Sequence, residues 1–285
     1  MKLVIVSGLS GSGKSVALHA LEDLGYYCID NLPVGLLEPF AAQWKGSGNR
    51  TLDRAAIGID ARNQVQDLQQ FDDIVAKLAA YGVACDILFL LADEATLLKR
   101  FSETRRRHPL SGSGVPLADA IRQERQLLEP ISLSADLHID TTHTNLYQLR
   151  DLVRERVAEH PATGLSLLFE SFGYKHGIPG DADFVFDARC LPNPHWEAAL
   201  RPLTGLDESV VKYLESQAIV GELLEQIRSF IATWIPHFER ESRSYLTIAI
   251  GCTGGQHRSV YLVDRLGSYF REQYPSVIAR HRELS

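Results

Sequence analysis

At 285 residues the chain is longer than a single core usually serves, so one large or two modest domains are expected, with two as the working count. Hydrophobic residues at 45% and charged residues at 23% exclude wholesale disorder. A net charge of −7 excludes a general attraction to phosphate backbones, so any contact with RNA needs a local basic patch.

The opening run Leu3-Val4-Ile5-Val6 has the β-branched, apolar character of a buried parallel strand. It lacks a long apolar stretch and runs straight into a glycine loop, so it reads as a strand and not a signal peptide. The loop, Gly8-Leu9-Ser10-Gly11-Ser12-Gly13-Lys14-Ser15, satisfies the G-x-x-x-x-G-K-[ST] pattern between a strand and a helix expected from near Lys14. Its glycines let backbone N–H groups turn inward around a phosphate, and the helix N-terminus adds partial positive charge. Lys14 is expected to reach the β and γ phosphates of ATP or GTP, and Ser15 to place its hydroxyl on Mg²⁺, making these two the candidate catalytic pair.

Further apolar segments follow at Tyr27-Cys28-Ile29, Ala55 to Ile59, Ile87 to Leu91 and Leu137-His138-Ile139, separated by helical patterns such as Val16 to Leu24. Strands alternating with helices imply a parallel α/β sheet, with Asp30, Asp60, Asp93 and Asp140 gathered at its carboxyl edge. The acid that completes the metal site is sought among Asp30, Asp60, Asp86 and Asp93, the last of which could equally cap the next helix. Arg100 and Thr104 to Leu110, with three consecutive arginines, are expected beyond the helix that starts at Glu94, ahead of the short patch Ser111-Gly112-Ser113-Gly114. They read as a lid over the phosphates, a solvated helix face or an RNA contact.

A break at His160 to Gly164 places the domain boundary after residue 160. The second half again mixes strands, at Leu165 to Phe169, Phe184 to Phe186 and Tyr245 to Ile250, with helices around Val210 to Tyr213, Val220 to Phe238 and Ser259 to Phe270. The last strand runs into Gly251-Cys252-Thr253-Gly254-Gly255-Gln256-His257-Arg258-Ser259, a second phosphate-cradle design. Cys252, five residues, then Arg258-Ser259 is also the spacing of tyrosine-phosphatase loops, although those carry His where this chain has Gly251. Lys175, His176, Arg189 and His195 are candidates to join Arg258 around a phosphorylated ligand. The fold class is therefore α/β, with an N-terminal P-loop NTPase or kinase-like parallel-sheet domain at residues 1–160 and an α/β phosphate-binding domain at 161–285. Four scattered cysteines without a CxxC pair, and no stretch near the roughly 20 apolar residues of a membrane span, fit a cytoplasmic protein.

Taken together, GLSGSGKS at 8–15, YYCIDNLP at 26–33, TRRRHPL at 104–110, ESFGYKHGIP at 170–179, DARCLPNPHW at 187–196 and GCTGGQHRSV at 251–260 resemble the RapZ/YvcJ family of P-loop proteins over essentially the whole chain. The resemblance implies ATP and GTP binding with hydrolysis by the first domain, ATP on Gly8 to Ser15 and GTP on Asp60-Ala61-Arg62-Asn63. For the second domain it implies a phosphosugar-binding fold that also drives homo-oligomerisation. Enterobacterial members act as RNase adapters that bind small RNA and tune amino-sugar synthesis. Those adapters end in a tail rich in lysine and arginine, where this chain has Arg280-His281-Arg282-Glu283-Leu284-Ser285, and they carry lysine where it has Gln256. Fewer cations predict weaker RNA attraction. The combined expectation is a regulatory NTP-binding protein with slow hydrolysis and a phosphometabolite site, its rivals an RNA-binding adapter and a Cys252-dependent phosphatase.

Overall fold

Residues 2–46, 54–111, 114–158, 165–241 and 243–284 are described by the computed structural model. His160 to Gly164, where the boundary is expected, and Gly112 and Ser113 of the serine-glycine patch lie outside them. The chain divides into two compact units, Met1–Glu159 and His160–Ser285.

In the first unit the strands are β1 (Lys2–Gly8), β2 (Tyr27–Ile29), β3 (Arg54–Gly58), β4 (Ala84–Leu91) and β5 (Leu137–Asp140). They pair in the order β2-β3-β1-β4-β5, all parallel. Leu3, Val4, Ile5 and Val6 are fully buried because β1 is central and helices cover both sheet faces. The helices are α1 (Lys14–Asp23), α2 (Leu37–Gly46), α3 (Val65–Gln69), α4 (Phe71–Ala80), α5 (Glu94–Thr104), α6 (Leu117–Leu127), α7 (Glu129–Leu133) and α8 (Leu146–Val153). One core joins Ile5, Ile57 and Phe89 of the sheet to Leu37 of α2, Phe71 of α4 and Ile131 of α7. Parallel pairing puts every strand's carboxyl end at one edge, where the glycine loop leaves β1. Asp86 sits opposite Val4, in the amino half of the sheet, and pairs with Lys2 Nζ at 3.0 Å. It is therefore removed from the candidate metal acids.

The second unit has β6 (Ser166–Gly173), β7 (Phe184–Asp187), β8 (Tyr245–Cys252) and β9 (Val277–His281) in the parallel order β7-β8-β6-β9. Its helices are α9 (Glu208–Glu215), α10 (Ala218–Arg240) and α11 (Arg258–Arg271). Two features differ from the sequence reading. The strand expected to stop at Phe169 continues through Glu170 and Ser171, and the segment taken as a tail supplies strand β9. Both have one cause: the polar residues of β6 meet polar partners at the same register in β9. Glu170 accepts from Arg280 Nη1 at 3.2 Å, and Ser171 Oγ lies 2.9 Å from His281 Nδ1.

Glu170 is buried, and burial together with the charge of Asp181 pushes its carboxyl up to about 7, against Arg280 and Arg282. Between its ordinary value of 4.5 and about 7, the folded state holds this proton more tightly than the unfolded state does. Its ionisation therefore subtracts stability as pH rises through that window, and the loss is complete above about 7. Thermal unfolding at pH 5 and pH 8 checks this: the wild type should lose more of its Tm between the two than Glu170→Gln does. Equal losses would contradict it.

Candidate functional site

The glycine loop is set by a close approach of two strands. A Cβ built on Gly8, whose φ is +141°, would lie 2.1 Å from the Leu90 carbonyl oxygen of β4, so no larger residue fits. Leu9 N–H donates to that same oxygen at 3.1 Å, and the Ser12 amide and hydroxyl both return to Leu9 O, at 3.0 and 2.6 Å. Gly11 and Gly13 complete the turn at positive φ. Helix α1 then begins without a side-chain cap, so among the described residues the amides of its first turn keep no side-chain partner and can take an anion.

Lys14 arches back over the loop and donates to Gly8 O at 2.6 Å. Burial pulls its ammonium below the ordinary value, while the carboxylates of Glu124, Asp60 and Asp30 favour its charge. A desolvated cation held on one carbonyl is poised to exchange that partner for phosphate oxygens. Ser15, one residue on, is exposed.

Of the remaining candidate acids, Asp93 is the N-cap of α5: its Oδ1 accepts the Thr96 amide at 2.6 Å. That leaves Asp30 and Asp60, both close enough to act on Lys14. Asp60 follows β3, the strand beside β1, and is 5% exposed. Burial pushes its carboxyl up, but bonds from the Arg62 side chain and amide carry it below the usual range. Arg62 grips it through Nε (2.9 Å) and Nη2 (2.6 Å), while Asn63 Oδ1 accepts the Val34 amide at 2.7 Å. Asp60-Ala61-Arg62-Asn63 is thus a closed polar turn beside Lys14.

The contacts of Arg100 and Glu124 are not legible from spacing. Arg100 lies within α5, not beyond it, and its guanidinium donates to Gly11 O (3.0 Å) and to Thr141 Oγ1 (3.0 Å) and O (2.6 Å). It braces the loop from the side. Glu124 accepts from Ser10 and meets a buried His108. Arg105, Arg106 and Arg107 are exposed beyond α5.

In the second unit the loop between β8 and α11 is organised around a sulfur. Cys252, 2% exposed, accepts the Gly255 N–H at 3.2 Å and lies 3.2 Å from Ser259 Oγ. Burial pushes the thiol up, yet these bonds and the Arg258 charge bring it below its ordinary value. Arg258 is 4% exposed; Nη1 donates to Arg189 O (3.1 Å) and Leu191 O (3.0 Å). Its Nε has no partner among the described residues, and Nη2 makes only a 3.4 Å contact with Thr253 Oγ1. The Nε and Nη2 edge has the fork geometry that suits a bidentate oxyanion.

A cleft of about 650 Å³ is lined by Arg189, Cys190, Asn193, Trp196, Thr253 and Arg258, among others. Trp196, 78% exposed, belongs to it and is not a packing residue. The histidines depart from expectation. His257 donates Nε2 to Leu200 O at 3.2 Å, so its ring supports the turn. His176 and His195 are exposed and are not among the residues lining the cleft. Arg189 stacks on Tyr174, 3.8 Å from the ring centroid, and grips Asp187 with Nε (3.0 Å) and Nη2 (2.7 Å). Asp187-Ala188-Arg189 thus repeats the turn of Asp60-Ala61-Arg62, in each unit on the strand beside the one that bears the loop. Among the described residues no helix is long and apolar enough to cross a membrane.

Residues 1–160 match the model of the RapZ-like N-terminal domain and residues 165–285 that of the RapZ C-terminal domain. The chain is 59% identical to a nucleotide-binding protein of Alkalilimnicola ehrlichii, over 100% of this chain and 99% of that protein. It is 57% identical to a nucleotide-binding protein of Thioalkalivibrio sulfidiphilus, over the whole of both. Among solved structures, a sugar kinase from Janibacter sp. HTCC2649 is similar over 54% of this chain and 92% of that one, at 17% identity and a TM-score of 0.36, too shallow a likeness to bear on the site.

Proposed function

The chain belongs to the RapZ family over both of its units, and from that premise we propose that it is a regulatory nucleotide-binding protein. Its first unit takes the magnesium complex of ATP or GTP on Gly8 to Ser15. The observation that carries this reading is Lys14, a partly desolvated ammonium bent onto Gly8 O beside the uncapped first turn of α1. Magnesium fits the residues present: an exposed Ser15 hydroxyl on that turn and Asp60 after the neighbouring strand. The ion, when bound, would neutralise charge on the phosphates. Slow hydrolysis follows from Asp60 being engaged by Arg62, and a GTP-binding role for the Asp60 to Asn63 turn is carried over from the family likeness. Four free thiols support a cytoplasmic home.

The second unit takes a phosphorylated metabolite, a phosphorylated amino sugar by family likeness, on Arg258 and Thr253. Cys252 serves as the hydrogen-bonded hub of that loop; its 2% exposure favours binding over cleavage of a phosphate ester. The RNA-adapter reading, with an RNase as a further partner and self-association through the second unit, ranks behind. Arg280, one of the two arginines of the segment that stands where the adapters carry their basic tail, is engaged by Glu170.

Calorimetric titration tests the proposal. The wild type should bind Mg-ATP or Mg-GTP and, separately, a phosphorylated amino sugar. Arg258→Lys, which replaces the fork by a point charge, should weaken the sugar phosphate at least about tenfold and leave the nucleotide unchanged. A variant that binds the sugar phosphate like the wild type would sink the assignment of the cleft, and a wild type that takes neither nucleotide would sink the proposal.

A further inference from the structure

One buried carboxylate of the first unit belongs neither to the phosphate cradle nor to the metal position. Glu124, on α6, has a side chain with no solvent exposure. Such a group is costly unless its oxygens are bonded, and these are. Oε2 accepts the Ser10 amide at 2.8 Å and Oε1 the Ser10 hydroxyl at 2.6 Å. His108, equally enclosed, lies with Nε2 3.0 Å from Oε2. Its Nδ1 accepts the Leu110 amide at 3.1 Å, so the ring proton belongs on Nε2 and is donated to Glu124. The imidazole also packs on Phe101 of α5, with ring centroids 5.3 Å apart. One carboxylate therefore ties the glycine loop to the residue that directly follows the exposed run Arg105-Arg106-Arg107.

We infer that Glu124 is a positioning residue: it holds Ser10 so that the loop stays open for phosphates and, through His108, carries loop occupancy to the arginine run. This rests on the nucleotide reading of Gly8 to Ser15. The charge of Glu124 favours the Lys14 ammonium but opposes incoming phosphates, two effects of opposite sign, so the positioning of Ser10 is assigned to its bonds. Glutamine can reproduce all three of them. Its carbonyl, in the place of Oε2, accepts from the Ser10 amide and from His108; its amide nitrogen, in the place of Oε1, donates to the Ser10 hydroxyl. Alanine keeps none, and aspartate is one methylene too short to reach both partners.

The full chain is titrated with Mg-ATP and Mg-GTP as wild type, Glu124→Gln, Glu124→Ala and Glu124→Asp. Trypsin cleavage at Arg105 to Arg107 is followed with and without nucleotide, with His108→Ala included. Glu124→Gln should bind within about threefold of the wild type, and Glu124→Ala at least about tenfold more weakly. Should the alanine variant fail to fold, Glu124→Asp carries the same expected loss. Nucleotide should slow cleavage in the wild type and in Glu124→Gln but not in His108→Ala. A glutamine variant as weak as alanine, an alanine variant as tight as the wild type, or equal protection in His108→Ala overturns the inference. Binding by the wild type that Lys14→Ala removes, with Glu124→Ala unaffected, overturns this inference alone; absence of binding by the wild type removes the nucleotide reading with it.

Discussion

Lys14→Ala is expected to lower the affinity for Mg-ATP or Mg-GTP by about 30- to 150-fold. The side chain supplies the mobile cation of the loop, and a charge-assisted hydrogen bond is worth about 2–3 kcal/mol. Stability should hardly change. The lysine is partly desolvated, burial already opposes its charge, and the bond it forfeits is to Gly8 O. Calorimetry reports the affinity and thermal unfolding the fold. A variant that binds like the wild type would show that phosphate is held elsewhere, and one that unfolds would show the lysine to be a structural strut.

Gly8→Ala should instead act on the fold. The new methyl would sit 2.1 Å from a backbone oxygen and 2.7 Å from the Leu90 nitrogen, atoms that cannot rotate aside, so β1 and β4 must part. Displacement of paired central strands costs on the order of 4 kcal/mol or more, a fall of roughly 8–16 °C in Tm for a unit of this size. Gly25→Ala is the control. Gly25 also has positive φ, +84°, but its Cβ would meet nothing within 4 Å, so it should cost only about 1 kcal/mol. Equal losses in the two variants would mean that the contact with Leu90 is not what the glycine is for.

What could be read from the sequence was local. Leu3 to Val6 followed by Gly8 to Ser15 is a strand, a turn and a helix start within about a dozen residues, and each step has its own chemical signature. The contacts that complete the site are distant. Glu124 reaches Ser10 across 114 positions and Arg280 reaches Glu170 across 110, so neither leaves a trace in spacing. The same cause hid β9, whose charged residues resemble a solvated tail until Glu170 is placed beside them. Asp86 and Asp93 could be sorted only once strand direction and helix capping were known. The dense polar stretch from Lys175 to His195 shows the converse: closeness in sequence did not make its histidines converge on the cleft.

The twin turns at Asp60 and Asp187 carry a consequence for selectivity. Each arginine already has a carboxylate companion, so a guest can recruit it only by outbidding that companion. A guest with a single negative charge offers no more than the carboxylate does, whereas a doubly charged phosphate monoester or the end of a triphosphate offers more. Under the proposed function each unit would thereby hold a valence threshold beside its cradle, one that favours doubly charged phosphoryl groups over the chloride and simple carboxylates that crowd any cell.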